Sequence, residues 1–301
     1  MARPCGARVD FQSGACRGVA GLWTADSGSG GMTRSSDGRQ AYWEERLREH
    51  WGPEGVGSLV YGREFNRWRY RVRTRVFRRL IRRLALATPE LDVLDVGSGT
   101  GFYLGEWHAL GVRSLAGLDL SEWAVAQLAR AYPTATLYRA DIGREPALPV
   151  AVFDVITAFD VLCHLVDDER HLSALRTLHR ALKPGGWLLF SDSFFHGASR
   201  QHEDYWKGRS LASLSATLEG CGFRIIDRVP MSVLMAAPTD TRHGGRNERI
   251  WNAAMSPVRW GEPIGWLMGA ALYPLELLLT AWLRESPAIE IMVCRKAGAA
   301  T

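Results

Sequence analysis

The chain has 301 residues, 47% of them apolar and 23% charged, an ordinary globular balance. At this length about 75% of the unfolded surface can be buried, so no metal or disulfide is needed to staple a core. The five cysteines, Cys5, Cys16, Cys163, Cys221 and Cys294, form no CxxC pair and no Cys/His cluster, which removes support for structural zinc, iron–sulfur and disulfide-scaffold readings and makes the reducing cytoplasm the expected compartment. A net charge of +5 is too mild to mark nucleic-acid binding, and the run GVAGLW is too short for an export signal.

In chain order, residues 1–38 are rich in Gly, Ser and Arg and are expected to be a disordered extension, with helical character beginning soon after Met32. Residues 39–90 are expected to form a helical cap. Within it Phe65, Trp68, Val72, Val76 and Leu80 recur at helical spacing, and ten of the twenty-one residues from Arg63 to Arg83 are arginine. The basic face is either a solvated side or a surface for an anionic substrate or an acidic membrane.

Residues 91–230 alternate strand and helix signals, the pattern of an open parallel sheet. LDVLDVG, SLAGLDL, ATLYRAD, FDVITAF and GWLLFSD read as five strands. FYLGEWHALG, SEWAVAQLARAY with Ser121 as N-cap, and DDERHLSALRTLHRAL, stopping at Pro184-Gly185-Gly186, read as the helices between them. After a helix LASLSATLEG come the strands FRIIDRV and, at residues 288–301 with the tail, AIEIMVC. Residues 231–287 between them carry four of the twelve tryptophans and are expected to be a helical lid. The apolar run Ile264–Leu283 is long enough for a membrane span, but Pro274, Glu276 and the immediate return to a strand argue against one. A buried or lid helix pair and shallow membrane contact stay open.

The chemistry sits at the turn Asp95-Val96-Gly97-Ser98-Gly99-Thr100-Gly101. Glycines there let the backbone leave a strand sharply beside a helix N-terminus. The dinucleotide fingerprint would put its third glycine where Phe102 stands, which disfavours a pyrophosphate ligand. VLDVGSGTG, the acid of LDLS, the acid of RADI, FDVITAFDVL and LKPGGWLLF together resemble the class I S-adenosylmethionine-dependent methyltransferases, over residues 91–229 and again over 288–295.

The resemblance implies a Rossmann-like α/β fold: a seven-stranded doubly wound sheet whose last strand is antiparallel, here with N-terminal helices and a helical insertion before that strand. It implies S-adenosylmethionine as cofactor and no metal. Asp95, Gly97, Ser98, Gly99, Thr100 and Gly101 would meet the methionine part of the cofactor, with Asp95 toward its amino group. Asp119 would hold the ribose, Leu120 would flank adenine, Asp141 and Ile142 would bind the adenine edge, and Phe159 and Asp160 would face the methyl group. The expected reaction is O-methylation of a small apolar or aromatic molecule, for which a base must take the hydroxyl proton; His164 and His196 are the candidates. The fourth-strand end AFDVLC lacks the Asn/Asp-Pro-Pro-Tyr/Phe and Pro-Cys motifs of enzymes acting on nucleic acids, so no nucleic-acid partner is expected. The alternatives are a lipid or quinone methyltransferase in peripheral contact with a membrane, and a cofactor-binding module without catalysis.

Overall fold

The computed structural model describes residues 36–202 and 205–297. The extension expected over residues 1–38 lies almost wholly outside them. Among the described residues three α-helices precede the sheet: α1 (Ser36–Glu49), α2 (Pro53–Val56) and α3 (Gly62–Arg83). The core then runs β1 (Asp92–Val96), α4 (Phe102–Ala109), β2 (Ser114–Asp119), α5 (Glu122–Ala131), β3 (Thr136–Arg139), β4 (Phe153–Phe159), α6 (Asp168–Ala181) and β5 (Leu182–Asp192). A hairpin, β6 (Arg200–His202) and β7 (Trp206–Gly208), leads to α7 (Leu211–Gly220) and β8 (Phe223–Ser232). Helices α8 (Gly244–Met255) and α9 (Glu262–Trp282) follow before β9 (Ile289–Lys296).

The sheet has seven strands in the order β3-β2-β1-β4-β5-β9-β8. β9 runs antiparallel to both neighbours, while the other adjacent pairs are parallel, as the sequence implied. Alternate residues of each central strand enter different cores, because strand side chains have a period of two. Val93, Val155, Leu189, Ile291 and Val293 pack with α3, α4 and α8. Leu94, Ile156, Leu188, Phe190 and Met292 pack with α6 and α7. The strands are apolar on both faces because helices cover both. The chain winds outward from β1 to β3, then returns to β4, so the carboxyl ends of β1 and β4 frame a crevice where the winding reverses.

Two local readings are corrected. The helix before β5 ends at Ala181, ahead of Pro184-Gly185-Gly186, which lies inside β5; Gly185 at φ +74° accompanies a register shift against β4. The Gly-rich segment is therefore an irregularity of the strand, with Leu182 already paired to Phe153. The hairpin β6–β7 was not expected at all.

Part of the arginine face of α3 is built into the protein, while Arg63, Arg67, Arg71, Arg75 and Arg82 are exposed. Arg73 is buried against Asp160, Arg78 pairs with Glu106, Arg79 donates to the Thr280 carbonyl at 2.6 Å, and Arg83 pairs with Asp227. α9 is one continuous helix through Pro274 and lies parallel to α3: Gly265 faces Phe65, Gly269 faces Trp68, and Thr280 meets Arg79. Glu262 at its start accepts the Arg63 and Glu64 amides at 2.9 and 2.7 Å, capping α3. Glu276 is fully buried and takes the Ser232 hydroxyl and the Val233 and Leu234 amides at 2.7 to 2.8 Å. α9 is thus fastened to the body along one face; its opposite face is exposed, so the helix is not a buried one.

Candidate active site

β1 ends at Val96, and the chain reverses through Gly97–Gly101 into α4. Two positions require glycine. Gly97 and Gly99 sit at φ +67° and +50°, and a Cβ there would come within 2.2 Å of Val161 and 2.7 Å of Val56. The Gly97 and Ser98 amides donate to Leu118 O at 2.7 and 3.1 Å, the Gly99 amide to Asp119 Oδ2 at 2.7 Å, and the Gly101 amide to Ser98 O at 2.7 Å. These amides are spent inside the protein, so the turn does not offer them to a pyrophosphate.

The turn forms one wall of a cleft that is open to solvent. Gly97, Ser98, Gly99, Thr100, Asp119, Leu120, Asp141, Ile142, Phe159, Asp160 and His164 all line it, brought together from four strand ends. Asp119 is buried; its Oδ1 accepts the Ser121 amide at 2.9 Å and its Oδ2 the Gly99 amide, while burial raises its pKa. Each oxygen keeps a lone pair for another donor. Asp141 caps the turn after β3 through the Gly143 amide at 2.9 Å and is paired with Arg170.

Three expected residues are placed differently. Asp95 does not line the cleft: it is buried, its carboxyl takes the Thr157 hydroxyl at 2.7 Å, and burial pushes its pKa up to about 7. Its carboxyl sits beneath the turn, between Thr157 of β4 and Ser98. Gly101, the N-cap position of α4, also lies off the lining. His196 is outside the cleft altogether, with a side chain 55% exposed and its ring between Asp240 at 2.6 Å and Glu285 at 3.4 Å. It follows β5 by four residues, enough chain to carry it over the rim.

His164 by contrast is inside. Its Nδ1–H donates to the Tyr205 carbonyl at 2.8 Å, which makes Nε2 the acceptor nitrogen of the neutral ring, and burial lowers its pKa. The ring of Trp43 meets it edge-on at 5.3 Å.

Beyond Asp160 the cleft adjoins a second chamber, and Val56, Tyr70, Arg73 and Asp160 line both. Asp160 stands at φ +56°, a left-handed conformation that Asp tolerates better than most residues. Ser191 fixes it twice, accepting its amide at 2.9 Å and donating to Oδ1 at 2.7 Å, while Arg73 holds Oδ2. The Arg73 guanidinium outweighs burial and keeps the Asp160 pKa below its ordinary value. Asp192, at the end of β5, lines the second chamber and is buried so completely that its pKa rises to about 8. His202 and Trp206 of the hairpin, Arg69 of α3 and Ala236 and Ala237 after β8 complete the lining.

Several of these residues escaped the sequence reading. α1 covers the cleft with Arg39 and Trp43, and Glu44 fastens it by accepting the Ser121 hydroxyl at 2.7 Å and the Trp123 amide at 3.1 Å. No local pattern in α1 announces this. Arg73 and Tyr70 were part of a visible amphipathic helix, and their burial followed from its apolar phase; Asp192 could have been found as the acid closing the fifth strand, by analogy with Asp119.

A family model described as a methyltransferase domain matches residues 65–225, just over half of the chain. A protein of Mycolicibacterium smegmatis named "Probable S-adenosylmethionine-dependent methyltransferase" is 32% identical over 208 residues, covering 67% of this chain and 77% of its own. A probable S-adenosylmethionine-dependent methyltransferase of Mycobacterium tuberculosis is 35% identical over 172 residues, 54% of this chain and 60% of its own. A ubiquinone biosynthesis O-methyltransferase of Paraburkholderia phymatum is 37% identical over 103 residues, 33% of this chain and 43% of its own.

Proposed function

The chain belongs to the class I S-adenosylmethionine-dependent methyltransferases, and from that premise we propose that it methylates an oxygen of a small apolar or aromatic acceptor seated in the second chamber. The observation that carries the reading is the junction of the two chambers at Tyr70, Arg73 and Asp160. One chamber has the glycine turn and the strand-end acids, and the other is mostly apolar. The residues fit the cofactor: Asp119 has acceptor capacity left for ribose hydroxyls, and side chains at Gly97 or Gly99 would collide with their neighbours. S-adenosylmethionine supplies an electrophilic methyl group on a sulfonium. The chain's own work is to align the acceptor, exclude water with α1 and the hairpin, and receive a proton.

For the proton, His164 is the one of the two expected histidines we retain: it lines the first chamber four residues beyond Asp160, which borders both, whereas His196 lines neither. His164 is uncharged, with Nε2 in acceptor form. Asp192 is already protonated at neutral pH and serves as a donor to the acceptor. The test is methyl transfer from radiolabelled S-adenosylmethionine to matched phenols and anilines. Phenols should be the substrates, and H164A should lower single-turnover rate by about 10² to 10⁴ with cofactor affinity retained. Exclusive methylation of the anilines, or a near-native rate in H164A, contradicts the oxygen assignment or the base respectively.

The exposed face of α9 favours a second reading, of where the protein works: it docks on the surface of an anionic bilayer. On α9, Leu267, Leu275, Leu278 and Trp282 share an exposed apolar face about 22 Å long, and Trp260, just before the helix, and Trp282 are 76% and 83% exposed. Arg259 and Arg284 stand at its ends, and Arg71 stacks on Trp68 beside it at 4.2 Å. Aromatic ends and flanking arginines suit an interfacial helix, and attachment to α3 and the buried Glu276 suit one that lies on the surface. The full-length protein should pellet with phosphatidylglycerol vesicles at low salt, be released by salt, and lose binding in L275S/L278S. No pelleting, or a concentration-dependent dimer instead, contradicts it.

A further inference from the structure

Of the two arginines that line the second chamber, only one is held in an ion pair among the described residues. Arg73 is neutralised by Asp160. Arg69, one turn earlier on α3 and also lining the chamber, has no carboxylate within ion-pair distance among the described residues; it donates to Asn66 Oδ1 at 3.1 Å. The other acid of the chamber, Asp192, does not serve as its counterion: its ionic neighbour is Arg209, and burial keeps it protonated at neutral pH. A half-buried guanidinium that faces the chamber without a counterion has planar donors left over, and these match a carboxylate in two-point fashion.

Resting on the methyltransferase reading above, we propose that Arg69 is a specificity-determining residue that binds an anionic oxygen group, a carboxylate, on the acceptor. The acceptor is then an apolar or aromatic acid. The arrangement divides the chamber's labour. Arg69 takes the acid group, Trp206, Ala236 and Ala237 take the apolar body, and the opposite end reaches Asp160 at the border with the cofactor cleft. Burial and the neighbouring Arg73 both lower the Arg69 pKa, the direction expected for a cation whose partner is missing.

The test uses two probes of equal shape and different charge, 2-naphthoate and 2-naphthamide, bound to the full chain in the presence of S-adenosylhomocysteine. The naphthoate should bind about tenfold or more tightly than the amide, R69K should keep part of that preference, and R69M should abolish it. R69M should also raise the melting temperature of the ligand-free protein, because it removes an unpaired charge; this readout needs no ligand. Equal affinity for the two probes, failure of both to bind, a preference that survives in R69M, or a lowered melting temperature in R69M overturns the proposal. Binding requires no turnover, so absence of methyl transfer with the charge preference intact would count against the proposed reaction and leave this assignment standing.

Discussion

Asp192 and Asp95 show how burial changes the chemistry of single carboxyls. Both stand at or near the carboxyl ends of strands and both are held well above the ordinary carboxylate range, at about 8 and about 7, by desolvation. Each keeps in the folded state a proton that it loses on unfolding at neutral pH, so each contributes stability that disappears as pH rises toward its folded pKa. Below about pH 6.5 the buried His171, with a pKa lowered to about 3, acts in the opposite sense, since unfolding lets it take up a proton. The window in which the carboxyls act with no opposing histidine is therefore about pH 6.5 to 8. Chemical denaturation should show about 1 to 2 kcal/mol less stability at pH 8 than at pH 6.5, and D192N should flatten most of that slope. A flat profile in the native chain would show that Asp192 ionises freely and is no donor in the chamber.

Among the elements, the pair α3 and α9 ties the N-terminal cap to the insertion before the last strand. Their contact depends on two glycines one turn apart on α9 that differ in what they face. A Cβ on Gly269 would lie 2.3 Å from the Trp68 ring, whereas one on Gly265 would meet Phe65 at an ordinary 3.5 Å. Overpacking costs about 1 to 3 kcal/mol and replacing a helical glycine by alanine returns about 0.5 to 1. G269A should therefore destabilise by about 1 to 2 kcal/mol and G265A should be neutral or stabilising, as read by the denaturation midpoint. The reverse order would mean that the helices do not meet in this register. The sequence displayed the two helices separately, through the apolar phase of one and the long apolar run of the other. It could not display their pairing, because 200 residues separate Phe65 from Gly265, and the arginines of α3 looked like one solvent-facing stripe until Asp160, Glu106 and the Thr280 carbonyl claimed three of them.

The whole molecule was legible where chemistry is local. Glycines between a strand and a helix, acids at strand ends and the antiparallel last strand each leave a mark within a few residues, and the cleft proposed for the cofactor is lined by such marks. The second chamber is assembled from α2, α3, the ends of β4 and β5, the hairpin, the segment after β8 and the start of β9, so its residues carry no common spacing. His164 and His196 looked equivalent as histidines near strand ends. Tertiary structure separates them, enclosing one beside Trp43 and leaving the other on the rim with Asp240.

Asp119 bears most directly on the account: the resemblance assigns it to the ribose, and it lines the cleft with acceptor capacity to spare. Isothermal titration of the full chain with S-adenosylhomocysteine should give one site, and D119A, shown by circular dichroism to be folded, should bind about tenfold to a hundredfold more weakly. That corresponds to about 1.5 to 3 kcal/mol for hydrogen bonds to a charged acceptor. No heat of binding in the native protein, or unchanged affinity in folded D119A, would contradict the assignment of this cleft to the cofactor.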